Sequence, residues 1–134
     1  MGQPAAKQGD QVVGTDIHIV LVPAPPAPPV PTPLPHPFVG ILQQSLSANV
    51  NIMGLPAATV QSVANNIPPH IPTPPGTSFT KPPTNKGTVI KGSATVKINN
   101  KPAARSGDTV LTCNDPVDAP VGSIVAVGTV LIGG

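Results

Sequence analysis

The chain has 134 residues, a formal net charge of +2, 21 prolines, 13 glycines, one cysteine and neither tryptophan nor tyrosine. That length holds one domain, residues 1–134, and no second core. With Phe38 and Phe79 as its only aromatics and 9% charged residues, any core must be built from Val, Ile, Leu and Ala. Basic residues scattered singly, without aromatic stacking platforms, argue against a nucleic-acid partner. Cys113, alone, excludes an intrachain disulfide. A core this thin needs help, and a bound metal is the usual device in small scaffolds.

In chain order, Met1 to Asp10 is polar and the apolar run Ile17 to Val22 is short and ends in prolines, so no signal peptide is read. Synthesis in the cytoplasm, with any export avoiding a cleaved signal, is the expectation. Residues 23–37 carry nine prolines in fifteen positions, which excludes helix and central strand. Alone, that segment reads as a polyproline II spacer or a ligand for an SH3-like or WW-like domain. Apolar residues at 38, 41, 42 and 46 predict a helical turn or two over Phe38 to Ser47. A second proline-rich segment covers residues 68–83. From Lys86 onward Val89-Ile90, the alternating Thr95 to Ile98 and the Val- and Ile-rich Ser123 to Ile132 predict strands.

An internal repeat cuts across this order, and repeats fix architecture. P-A-A-R-S-G-D (Pro102 to Asp108) is echoed by P-A-A-K-Q-G-D (Pro4 to Asp10) and by P-A-A (Pro56 to Ala58). Ala48 to Ala58 also lies in register on Ala94 to Ala104. Val50 and Ile52, like Val96 and Ile98, should share one strand face. Gly54 and Asn99-Asn100 suit the positive φ of a tight turn, and Asp10 and Asp108 can bond neighbouring N–H groups after their glycines. A unit used three times predicts a pseudo-threefold object, with arms at residues 4–18, 48–58 and 94–112.

The chain has three histidines, His18, His36 and His70, and one cysteine, Cys113. Three imidazoles and a thiolate would complete a tetrahedral zinc site, although such long separations carry no spacing signal. His36 and His70 are also readable as ordinary loop residues, His18 as a half-buried strand residue and Cys113 as a small core hydrophobe. The chain has no glutamate and no H-E-x-x-H, which removes the general base of common zinc hydrolases. A Ser106, His18 and Asp108 triad has nothing to order it. The chain reads as a structural protein and not an enzyme.

Thr95 to Cys113, T-V-K-I-N-N-K-P-A-A-R-S-G-D-T-V-L-T-C, is similar to the signature of the PAAR-repeat family. The resemblance is strongest over residues 86–134, clear at 4–18 and weaker at 48–58. It implies an all-β fold, a small pseudo-threefold cone of β-hairpins, here with proline-rich loops at 23–37 and 68–83. It implies one structural zinc near the apex, held by three His and one Cys, which on this chain are His18, His36, His70 and Cys113. It further implies a tip that caps and sharpens the homotrimeric, VgrG-like spike of a contractile injection system, either type VI secretion or a phage-tail-like particle. One tip per trimer, possible effector cargo, export on contraction and transient contact with the target membrane belong to the same expectation. The chain stops at Gly134 and so reads as a bare tip, its Val125 to Ile132 segment supplying the apolar centre of the docking base.

Overall fold

A computed structural model describes residues 2–134, and among them every regular element is a strand. These are β1 (Gln3–Pro4), β2 (Gln11–Ala24), β3 (Ala27–Gln44), β4 (Asn51–Ile52), β5 (Leu55–Pro56), β6 (Val63–Asn66) and β7 (Ser78–Phe79). They are followed by β8 (Lys86–Val89), β9 (Lys97–Ile98), β10 (Lys101–Pro102), β11 (Thr109–Thr112), β12 (Ala119–Val125) and β13 (Leu131–Ile132). The all-β expectation holds. The helical turn expected over Phe38 to Ser47 does not form, because β3 continues through Gln44. Its alternate residues Phe38, Gly40 and Leu42 face the core, and that period of two wins over the weak helical spacing.

The repeats are three corners closed into a ring. Ala6 N–H donates to Ala104 O, Ala104 N–H to Ala58 O, and Ala58 N–H to Ala6 O, each at 3.0 Å. The bridges Ala5–Arg105, Lys7–Ala57 and Thr59–Ala103 run around the axis in the same sense. A side chain as small as a methyl lets three backbones meet this closely, and all three alanines are fully buried. Each corner then turns back on itself. Asp10 Oδ2 accepts from Lys7 N–H at 2.9 Å and Asp108 Oδ2 from Arg105 N–H at 2.8 Å. The middle corner does the same with other residues: Ser62 Oγ accepts from Thr59 N–H at 3.0 Å. Gly9, Gln61 and Gly107 all take positive φ, 89°, 81° and 90°. The middle copy is therefore a full seven residues, Pro56 to Ser62, hidden in the sequence because Gln-Ser replaces Gly-Asp.

Each corner feeds a strand of one barrel. Strands β2, β6 and β11 leave the corners and β3, β8 and β12 return. The six are antiparallel neighbours in the order β2, β3, β6, β8, β11, β12, and β12 pairs again with β2, which closes the sheet and leaves no open edge around the core. The second residue after each corner, Val12, Ala64 and Val110, points inward and is fully buried. Phe38 fills the centre. Gly40 and Gly87 make room for it, since a methyl on them would lie 2.6 Å and 3.2 Å from its ring.

Below the corners sit three short hairpins, β4–β5, β9–β10 and β13–β1. The last joins the two ends of the chain, Gln3 opposite Ile132, so residues 129–132 supply the half-hairpin that precedes the corner in the other two copies. Ile52, Ile98 and Ile132 pack with Ala5, Ala57 and Ala103 into a second apolar cluster. Burying each isoleucine contributes about 1.5–3 kcal/mol. Positive φ at Met53, Gly54, Asn99 and Asn100 turns two of these hairpins as the residue types predict.

The proline-rich segment 23–37 is not a polyproline spacer. It forms the end of a long β2–β3 ribbon, paired from Gln11–Ile41 to Ala24–Ala27. On β3 the odd-numbered residues face away from β2: Val39 exchanges its backbone bonds with Asn66 and Ile67, and Pro35 O accepts from Thr73 Oγ1. Pro28 and Pro29 lie where the ladder shifts register between Val22 and Ala24, while Pro31, Pro33, Pro35 and Pro37 occupy this outward series. Their missing N–H groups thus fall where no ladder bond to β2 is lost, the one strand position proline tolerates.

Candidate metal centre

The site lies at the end of the barrel opposite the short hairpins. Alternation on β2 turns Asp16 and His18 inward, and the same alternation on β3 turns His36 inward beside Phe38. Asp16, His18 and His36 are 0%, 1% and 2% exposed. Cys113 follows directly on β11, and His70 comes from the loop after β6. That loop is pinned by Asn85, whose Oδ1 accepts from His70 N–H at 2.7 Å and whose O accepts from Asn66 N–H. One residue group from each of the three repeats thus converges on one point.

Asp16, His18, His70 and Cys113 place one donor atom each within 4.8 Å of all the others. His18 Nε2 stands 3.7 Å from Cys113 Sγ, and Cys113 Sγ 3.4 Å from Asp16 Oδ2. Asp16 Oδ2 is 2.9 Å from His70 Nε2 and 4.0 Å from His18 Nε2. Metal–ligand lengths in tetrahedral zinc sites imply donor separations of about 3.3–3.6 Å, so this set brackets what one ion needs. Asp16 is held in place from behind, its Oδ1 accepting from Thr112 Oγ1 and from Asn114 Nδ2.

His36 stands differently. Thr73 N–H donates to its Nε2 at 3.1 Å, which makes Nδ1 the protonated nitrogen, and Nδ1–H donates to Leu34 O at 2.9 Å. Both ring nitrogens are engaged, and the imidazole fastens the 68–75 loop over the site. Its ring still lies 5.4 Å and 5.6 Å from those of His18 and His70, and Phe79 stacks against His18 and His36 from outside. Of the four residues expected from the sequence, His18, His70 and Cys113 share one donor group, whereas His36 lies beside it with both ring nitrogens bonded elsewhere. Asp16 was missed, although its position two residues before His18 on one strand signals a shared face.

Burial holds His18 below the ordinary imidazole range, with His70 adding to the effect, and burial does the same to His36. Both rings are therefore neutral and carry a free or bonded lone pair, the form a metal requires. Burial, and then the neighbouring Asp16, pushes the Cys113 thiol up to about 11. A cation among these groups would favour the thiolate and offset the buried carboxylate charge. Two imidazoles, a thiol and a carboxylate are donors suited to zinc or a related transition ion. Ser106 and Asp108 lie elsewhere: Ser106 Oγ bonds Ile124 O, and Asp108 pairs with Arg105 at 2.9 Å. They form no triad with His18.

A search of curated proteins finds no match to this chain. Residues 80–134 match the family model described as PAAR motif, a span holding the third corner, β8 to β13 and Cys113. The chain thus carries a PAAR motif at its C-terminal end, and two further corners of the same geometry precede it.

Proposed function

We propose that this chain is a zinc-stabilised tip that seats as a single copy on the trimeric spike of a contractile injection system. The observation that carries the reading is the closed ring of three corners with a hairpin below each, which gives one chain three related patches. A trimer offers three equal seats, and engaging them together multiplies weak contacts into a firm one. Around these hairpins Met53, Leu55, Val96, Val130 and Leu131 are exposed, an apolar rim for such a seat. Within Val125 to Ile132, Val125, Val127, Val130 and Leu131 face solvent while Ala126 and Ile132 are core.

The metal in this reading is zinc, one per chain. His18, His70 and Cys113 supply three donors. Asp16 is the fourth in the geometry described above, and His36 takes that place only by giving up its bonds to Leu34 and Thr73. Four protein donors leave no open position for substrate or water, which supports a structural ion and a protein without catalysis. In this reading the opposite end, with the proline ribbon, is the end that meets the target membrane. Synthesis is cytoplasmic, export follows contraction, and effector cargo is carried by attachment. The adaptor reading gains no support, since residues 27–37 are bound into β3. Mixing the chain with its spike trimer and measuring complex mass by light scattering tests the seat: one chain per trimer is expected, and three chains per trimer, or no complex, refutes it.

A further inference from the structure

His18 Nδ1 is the only buried side-chain nitrogen or oxygen without a hydrogen-bond partner among the described residues. An orphaned polar atom in a core costs about 1–3 kcal/mol, so its presence asks for a reason. The atom nearest to answering it is Asp115 Oδ2, 3.5 Å away, with side chains 1% and 4% exposed. That separation is too long for a hydrogen bond, and closing it by roughly 0.6 Å would make a charge-assisted one.

The surroundings show that Asp115 is placed for this. The chain after Cys113 grips β2 on both sides of His18. Asn114 Oδ1 accepts from Ile17 N–H at 2.7 Å, Asp115 N–H donates to Ile17 O at 2.8 Å, and Asp115 Oδ2 accepts from Ile19 N–H at 2.9 Å. The same oxygen that faces His18 Nδ1 is thereby held to the backbone next to it. The clamp belongs to the segment carrying Cys113, so the thiol and the imidazole are registered against each other through it. On the far side of the ring, His18 Nε2 faces Cys113 Sγ.

We propose that Asp115 is the positioning carboxylate of the metal centre. It accepts a hydrogen bond from His18 Nδ1–H, fixes the tautomer that leaves the Nε2 lone pair free, and aims that lone pair at the ion shared with Cys113. The inference rests on the metal-centre reading above. Metal-ligating imidazoles ordinarily donate their second ring nitrogen to such an outer group, and losing it weakens metal binding by about 10- to 100-fold. The other groups facing His18 do not serve this role. Asp16 lies on the Nε2 side, and His36 and His70 meet the ring by its face and edge.

The test is zinc affinity by competition with a chromophoric chelator, run on the wild-type chain, Asp115→Asn, Asp115→Ala and the exposed neighbour Asp118→Asn. Asparagine keeps an acceptor for Ile19 N–H and removes the charge that His18 needs. Affinity should fall about 10- to 100-fold in both Asp115 variants and stay unchanged in Asp118→Asn. The melting temperature of metal-stripped Asp115→Asn should remain close to that of metal-stripped wild type, which a merely structural role would not allow. Imidazole nitrogen NMR of the zinc-loaded wild type should show a hydrogen-bonded proton on His18 Nδ1. Wild-type affinity in Asp115→Asn, or an equal loss of stability with and without metal, overturns the proposal. A wild-type chain that takes up no zinc overturns the metal-centre reading, and this proposal with it.

Discussion

The ring at Ala6, Ala58 and Ala104 makes a quantitative demand: three positions far apart in sequence should respond alike to one perturbation. All three are fully buried and joined by N–H···O bonds of equal length. Valine adds two methyl groups at a point where three backbones meet, and overpacking of a filled core costs about 1–3 kcal/mol. With a urea slope of about 1–3 kcal/mol per molar for a small domain, a cost of ~2 kcal/mol lowers the unfolding midpoint by roughly 1 M. Ala6→Val, Ala58→Val and Ala104→Val should therefore fall by similar amounts, measured by urea titration of the zinc-loaded chain, while the exposed Ala27→Val stays at the wild-type midpoint. One silent position among the three, with large losses at the other two, would refute the threefold equivalence of the corners.

Two further outcomes follow from the same structure. His18 and His36 are held below the ordinary imidazole value of 6.5 by burial, so on acidification the unfolded chain takes up protons that the metal-stripped fold refuses. Stability of the metal-stripped chain is full above that value and is lost as pH falls through it; urea midpoints compared between about pH 8 and about pH 5 should drop, and a flat profile contradicts the assignment. Pro31→Thr with Pro33→Thr restores two N–H donors to the free edge of β3, which then becomes a template for pairing. Light scattering should detect self-association of that double variant; a strictly monomeric variant contradicts the protective role of the prolines.

How legible the fold was depended on whether a residue's role showed in its type. The Gly-Asp corners at Gly9-Asp10 and Gly107-Asp108 were readable because positive φ and a capping carboxylate favour those residues. The equivalent Gln61-Ser62 was not, since Ser62 performs the same bond with a hydroxyl and Gln61 adopts positive φ under tertiary constraint. The chain-end hairpin was hidden for a different reason: its halves, Leu131–Ile132 and Gln3–Pro4, lie at opposite ends of the sequence. The proline ribbon was misread because composition alone does not show that every second residue faces outward. At the site, four residues of two types rare in this chain, three histidines and one cysteine, pointed to one another, whereas Asp16, one of five aspartates, stood out only through its strand position.

The metal content of the purified chain tests the account most directly. Protein prepared without chelators should contain one zinc per chain by elemental analysis, and Cys113→Ser should lose most of that metal together with a large part of its thermal stability, because ligands assembled only by folding turn metal affinity into folding free energy. A metal-free wild-type chain, or a Cys113→Ser variant that melts as the wild type does, would contradict it.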